Sequence, residues 1–356
     1  MALYLLLAAS PLILTPIINS YYKSSVTTDN RARKALLVWF GLFLFVMIAF
    51  RSRYLGSDDS SIYYSNWGII GSLNFEDFRH YVAASRAERG FLYVVWILSH
   101  IFPPSQFMFI SSGLLFTIAV CRYVYKYSPA PTLSLVMFVT LGEYSFMVQG
   151  LRQAIAMSIC LMSLEFCRQR RLFKFLLVII IAMLFHQTAV VFIFVYFLYG
   201  FIMDIKMYGV IAAAGILLLT FSNQIVQWGN ALFDRNYAND VDSGGLASIA
   251  VYVIILATAV IFARYRRIDR DYTFFFLITA FGFVFYIMRY TGALVTERIS
   301  FYFTFGQMIC LPMVLESFEK KTKGILTMFI SAICLALFAY RLNGGSLVPY
   351  YFFWQQ

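Results

Sequence analysis

Apolar residues fill this chain in long runs, at residues 2–18, 35–50, 106–125, 132–147, 150–167, 172–187, 188–203, 207–221, 246–263, 272–288, 296–316 and 324–341. A helix needs about 20 apolar residues to cross a hydrocarbon core of about 30 Å. The pattern therefore predicts an all-α polytopic membrane protein with about 12 transmembrane helices, as one integral membrane domain over residues 1–356. A further run at 91–102 is only a dozen residues long and stops at Pro103-Pro104. Polar positions cluster in two intervals, a large loop at 51–90 and a second at 222–248. The first holds Arg51, Arg53, Asp58, Asp59, Glu76, Asp77, Arg79, Arg86, Glu88 and Arg89. Loops between helices are short as a rule, so a long charged one is a partner surface or part of a site. In the second, Trp228, Asp234, Arg235 and Tyr237 are expected to grip a ligand or to form a lid.

Composition supports the membrane reading: 61% of the residues are hydrophobic, 19% aromatic and 13% charged. These values exclude a soluble globular domain and a disordered one. The net charge of +11 belongs to cytoplasmic loops rather than to a nucleic-acid partner. Cys121, Cys160, Cys167, Cys310 and Cys334 fall in or beside apolar runs, without metal-ligand spacing to a histidine, and read as buried small hydrophobes. No metal site is expected. The first apolar run has no basic leader and contains Pro11 and Pro16, so it reads as a retained first helix.

Basic residues set the orientation. With Lys23, Arg31, Arg33 and Lys34 cytoplasmic, the groups Arg122/Lys126, Arg168/Arg170/Arg171/Lys174, Lys206, Arg264/Arg266/Arg267/Arg270 and Lys320/Lys321/Lys323 fall on the same side, as the positive-inside rule requires. That set contains all eight lysines. The external side then carries arginine alone, at Arg51, Arg53, Arg79, Arg86, Arg89, Arg152, Arg235, Arg289, Arg298 and Arg341. A guanidinium grips phosphate or carboxylate at two points, which an ammonium does not. A crossing at 91–102 would turn every later basic group outward, so that run is expected to be a re-entrant or interfacial helix.

Candidate chemistry lies at the outer ends of these helices. Gln149, Arg152 and Gln153 are spaced to share one face of a helix starting at Gly150. His186 and Arg298 reach the same level on other spans, and Glu143 lies deeper. An ionisable group at membrane depth is costly unless partnered and marks function; for Arg152 the structural alternative is a bridge to Glu143. Asp58 and Asp59 are candidates as a helix cap or as acids. Arginines from separate segments together with carboxylates and a histidine describe a site for an anionic, phosphorylated ligand presented from the bilayer. No P-loop, nucleotide fingerprint or HExxH motif is present, so neither ATP nor another cofactor is expected.

Five short motifs, in order, carry a resemblance. Arg53-Tyr54-Leu55-Gly56-Ser57-Asp58 followed by Tyr63 or Tyr64 resembles the R-Y-x-G-x-D-x-x-x-Y opening of EpsG-type proteins, within the Wzy class of bacterial polysaccharide polymerases. Glu88-Arg89-Gly90-Phe91 is similar to that family's E-P-G-[FY] turn, with arginine in place of proline. Leu151-Arg152-Gln153-Ala154-Ile155-Ala156 resembles I-R-Q-x-[IL]-A, Phe185-His186-Gln187-Thr188-Ala189 resembles F-H-x-[ST]-A, and Arg298-Ile299-Ser300-Phe301-Tyr302-Phe303 resembles R-[IL]-S-x-Y-F.

The resemblance implies a GT-C-like glycosyltransferase of the bacterial inner membrane. Its donor and acceptor would be oligosaccharide repeat units carried on undecaprenyl pyrophosphate and joined at the external face, with membrane lipid, a chain-length regulator and a flippase as partners. In such a transfer Arg152 and Arg298 would hold the pyrophosphate, with Arg53 and Arg289 as secondary contacts and Gln153, Tyr63 and Tyr302 along the substrate. Asp58, Glu88 and His186 are the candidate bases, the carboxylates ranked ahead because they also stabilise a developing positive sugar. An O-antigen ligase and a lipid-linked oligosaccharide flippase or transporter are the alternatives.

Overall fold

A computed structural model describes residues 1–56, 58–202, 204–233, 245–263, 269–290, 295–343 and 345–355. Among them the elements are helical, and the one β pairing is an isolated bridge between Arg51 and Phe352. In chain order the helices are α1 (Ala2–Tyr22), α2 (Asn30–Ala49), α3 (Asp58–Gly71), α4 (Phe75–Ala84), α5 (Arg89–Ile101), α6 (Phe107–Tyr127), α7 (Pro131–Thr140), α8 (Glu143–Gln149) and α9 (Leu151–Arg168). They continue with α10 (Leu172–Met183), α11 (Ile193–Leu198), α12 (Ile205–Thr220), α13 (Ser222–Phe233), α14 (Leu246–Phe262), α15 (Arg270–Ile287), α16 (Val295–Thr304), α17 (Gln307–Leu315) and α18 (Lys320–Leu342).

Among the described residues five helices are long and apolar enough to cross a membrane, α1, α2, α6, α15 and α18, and the number rises to eight if each bent helix pair is one span. The bent pairs are α7 with α8, α12 with α13, and α16 with α17, at 50°, 65° and 41°. The first bend falls at Gly142, whose φ of 122° lies in the region that favours glycine. The second break coincides with the end of the apolar run at residue 221, whereas the first and third fall inside the single runs 132–147 and 296–316. Helix α5 has 13 residues and so reaches only about 20 Å at 1.5 Å per residue, short of a crossing. Of the interval 222–248, residues 222–233 are helical as α13, whereas Asp234, Arg235 and Tyr237 lie outside the described residues.

Two compact units divide the chain. The first comprises residues 1–163, 176–190 and 329–356. Its core is made where α2 packs on α1 and α6, and α1 on α7, with Tyr4, Leu7, Phe40, Leu44, Phe116 and Phe138 fully enclosed. Asp29 caps α2 by accepting from Arg31 N at 2.7 Å, and Asn74 caps α4 by accepting from Asp77 N at 2.9 Å. The second unit comprises residues 164–175 and 191–328 and centres on α15, which packs against α12, α14, α16 and α17. There Asp269 caps α15 through Tyr272 N at 2.7 Å.

In the first unit the C-terminal segment, residues 345–355, lies along the turn between α2 and α3. Ser52 N donates to the Tyr351 carbonyl at 2.9 Å, Phe353 N to the Phe50 carbonyl at 2.9 Å, and Gly56 N to the Ser346 carbonyl at 3.2 Å. Phe353 stacks on Phe50, ring centroids 6.2 Å apart. Gly56, at φ 99°, is the residue the turn requires, and a Cβ there would also crowd Gln149 at 3.1 Å.

Candidate functional site

The turn pinned by the C-terminal segment leads into α3, which presents Tyr63 one to two turns in. Helix α5 starts beside it, with Glu88 as its N-cap residue. The Glu88 side chain makes no capping bond to its own helix and is free to reach elsewhere. The route is opened by Gly90. A Cβ at that position would stand 2.7 Å from the Leu184 carbonyl oxygen, and Phe91 N donates to that same carbonyl at 3.1 Å. Helix α5 therefore presses against the chain just past α10. Here the polypeptide leaves the helix, runs through Phe185 and His186, and enters a 3-10 turn at Gln187–Phe192.

That close approach brings four sequence-distant side chains together. One Glu88 oxygen pairs with Arg152 Nη1, and the other lies 3.2 Å from His186 Nδ1. Gln187 N donates to the same oxygen at 3.4 Å. Arg152 Nε donates to the Tyr63 hydroxyl at 3.1 Å, and its guanidinium lies 5.9 Å and 6.0 Å from the Tyr63 and Phe91 ring centroids. The carboxylate is enclosed at 4% exposure, whereas His186 and Arg152 keep 18% and 24% of their side chains open. Burial pushes the Glu88 carboxyl up, but contact with His186 and the charge of Arg152 outweigh it and hold the group at about 2. A permanently ionised, enclosed carboxylate thus fixes two partly open side chains.

The remaining candidates are distributed as follows. Arg53, on the pinned turn, is half-buried; it donates to the Tyr54 hydroxyl at 2.5 Å and lies 5.5 Å from the Tyr64 ring centroid. Asp58 opens α3, and its side chain lies outside the described residues. Gln153 is buried at 4% exposure. Gln149 does not share the Arg152 helix, as its spacing suggested: α8 ends at Gln149, the chain turns at Gly150, and α9 begins at Leu151. The acid against Arg152 is Glu88 rather than Glu143.

Arg289, Arg298 and Tyr302 belong to the second unit. Arg289, 4% exposed in a 3-10 turn, donates to Glu297 Oε1 at 2.6 Å and to the Tyr286 hydroxyl at 3.1 Å. On α16, Arg298 is exposed and Tyr302 is buried at 1%. Sequence reasoning missed Glu297 and Tyr286 as partners of Arg289; the i and i+3 spacing of Tyr286 and Arg289 was the available signal. It placed Arg51 among the charges of an external loop, whereas Arg51 is wholly enclosed.

No curated protein and no solved structure matches the chain. The model of the EpsG family matches residues 34–352, which takes in all five motifs, the second unit, the first unit from α2 onward and most of the C-terminal segment. With its apolar helices and the Glu88-centred cluster, this chain belongs to the EpsG family of polysaccharide-polymerase-like membrane proteins.

Proposed function

We propose that this protein is a GT-C-like glycosyltransferase of the Wzy class. It joins oligosaccharide repeat units carried on undecaprenyl pyrophosphate at the external face of the bacterial inner membrane. The observation that carries the reading is the single carboxylate of Glu88 shared between Arg152 and His186. An anion-binding cation and a proton acceptor are thereby fixed side by side, as transfer from a lipid pyrophosphate requires.

The acceptor hydroxyl attacks the anomeric carbon of the donor sugar, and the bond from that carbon to the pyrophosphate oxygen breaks. Positive charge grows on the sugar and negative charge on the departing phosphate. Arg152, partly open and held by Glu88 and Tyr63, meets the phosphate charge, with Arg53 of the same unit as the secondary contact. The acceptor's proton goes to His186. Its Nδ1 faces Glu88, so Nε2 is the nitrogen left to accept, in the manner of a histidine oriented by a carboxylate. Glu88 itself, held at about 2, binds a proton too weakly near neutral pH to compete as the base. On this reading His186 ranks ahead of Glu88 as the base. Asp58, at the head of α3, is the carboxylate assigned to the developing positive sugar, while Tyr63 lines the approach of the glycan and the buried Gln153 shapes it from behind.

Purified protein in nanodiscs, given only lipid-pyrophosphate-linked repeat units, tests this reading. A ladder of longer lipid-linked glycans without added nucleotide is the expected product. A conjugate formed only when lipid A core is supplied would make the protein a ligase instead. Bound but unchanged substrate would make it a transporter.

A further inference from the structure

At the end of α2 the first unit buries a cation that no acid accompanies. Arg51 is 0% exposed. Its Nη1 donates to the Leu55 carbonyl and to Ser60 Oγ, both at 3.0 Å, and its guanidinium lies 4.0 Å from the Phe109 ring centroid. Among the described residues no carboxylate pairs with it. The ionisable groups close enough to act on its charge are phenols, those of Tyr144, Tyr4 and Tyr350. Burial lowers Arg51 only to about 10, which leaves it a full cation at neutral pH. The carbonyls of Ala49 and Arg51 at the helix end receive the Gln106 amide at 2.6 and 3.1 Å.

Three hydrogen-bond donors in this cluster have no partner: Arg51 Nε, the Tyr4 hydroxyl and the Tyr144 hydroxyl. Tyr4 and Tyr144 are both fully buried, and their rings pack edge to face at 6.1 Å. The third phenol, Tyr350, is committed to the Met47 carbonyl at 3.0 Å. An unsatisfied buried donor is costly, and a buried charge without compensation costs more. The stack on Phe109 and the negative end of α2 offset part of this. A water molecule would satisfy two of the donors but bring no charge, and it would need acceptors for its own protons. A small anion would offer acceptor capacity to such donors and neutralise the guanidinium.

We infer that Arg51, Tyr4 and Tyr144 form a buried site for a small monovalent inorganic anion of the halide type. Chloride is its abundant member. The site is structural in position but tied to the Arg53 turn, because the same guanidinium holds the Leu55 carbonyl in that turn and Ser60 in the first turn of α3. The C-terminal segment closes over it through the bridge from Phe352 to Arg51 and through Tyr350. Occupancy therefore stiffens the turn that leads into α3. This inference is independent of the reaction proposed above.

The test is the melting midpoint of the purified full-length protein, with chloride exchanged for gluconate at constant ionic strength so that general screening is held fixed. The expected midpoint climbs with chloride and saturates, as ligand linkage requires, and bromide substitutes for chloride. Tyr144→Phe and Tyr4→Phe each keep the ring and remove one donor, and either is expected to weaken or abolish the chloride-dependent shift. Bromide in crystals is expected to give an anomalous peak beside Arg51. A midpoint indifferent to chloride, or an equal shift in wild type and both phenylalanine variants, would overturn the site.

Discussion

Glu88 and Arg152 stand 64 residues apart in the chain and meet as an ion pair at the head of α5. The pair is asymmetric: the carboxylate is enclosed, while the guanidinium keeps an open side. Burying a carboxylate beside a cation and a histidine makes it a fixed negative anchor, and the groups it anchors are the ones left available to a ligand.

Arg152→Ala is therefore expected to cost about 100- to 1,000-fold in polymer formation, the scale for losing one preorganised donor at a developing anion. Arg152→Lys should recover little, since an ammonium cannot pair with Glu88 and Tyr63 and also grip phosphate. Polymer length on gels, at matched protein level in the membrane, reads this directly; normal chain lengths in Arg152→Ala would sink the assignment.

His186→Ala separates chemistry from binding. Loss of a general base is expected to lower turnover by roughly 100- to 10,000-fold, with affinity for the lipid-linked donor retained, because Arg152 remains in place. Single-turnover rates beside donor titration measure the two effects apart. A variant whose turnover is intact but whose donor affinity has collapsed would assign His186 to the phosphate instead.

The pH dependence of stability reports on Glu88. Its carboxyl is lowered from the usual 4.5 to about 2 on folding, so the native state binds its proton less readily than the unfolded chain does. The stabilisation is present in full above 4.5 and is lost as pH falls from 4.5 towards 2. Glu88→Gln should remove this slope from melting midpoints recorded through that window. An unchanged slope would mean that other carboxylates dominate acid unfolding.

Much of this architecture is legible in the sequence, and the rest is hidden for identifiable reasons. Long apolar runs reveal α1, α2, α6, α15 and α18, because spanning a bilayer leaves no other way to satisfy the backbone. The breaks at Gly142 and after Thr304 fall inside single apolar runs and so go unmarked by them, whereas the one after Thr220 is signalled by the polar interval that begins at 222. At the site, Arg152, His186 and Glu88 each stand out as ionisable groups at helix ends. Their meeting does not, since it depends on Leu184 being approached closely by Gly90 across 94 positions of sequence. The burial of Arg51 was hidden because arginine in a polar loop reads as solvated, whereas Phe109, the α3 turn and the C-terminal segment meet around it.

Gly90→Ala probes that approach. The added methyl would meet the backbone oxygen of Leu184 at 2.7 Å, which no rotamer change relieves. Overpacking of this kind costs about 1–3 kcal/mol, and separating α5 from residue 184 pulls Glu88 off His186. Lowered melting midpoint together with reduced polymer yield is the expected result; full activity at wild-type stability would show that the contact has slack.

Truncation after Asn343 tests the C-terminal segment as a positioning element for the motif turn. It removes the partners of Ser52 N, Gly56 N and the Phe50 carbonyl, the stack on Phe50 and the Tyr350 hydroxyl on Met47. Each such hydrogen bond contributes about 0.5–1.5 kcal/mol net, enough in sum to free a turn that glycine alone does not hold. The Tyr63 hydroxyl on Arg152 is the link through which a loosened α3 reaches the site. We expect faster limited proteolysis within residues 50–57 and loss of polymer, with the Glu88-dependent acid slope of stability preserved because that pair does not touch the segment. A truncated protein that keeps both its protease resistance and its polymer length would show that α3 is positioned by its packing on α5 and α6 alone.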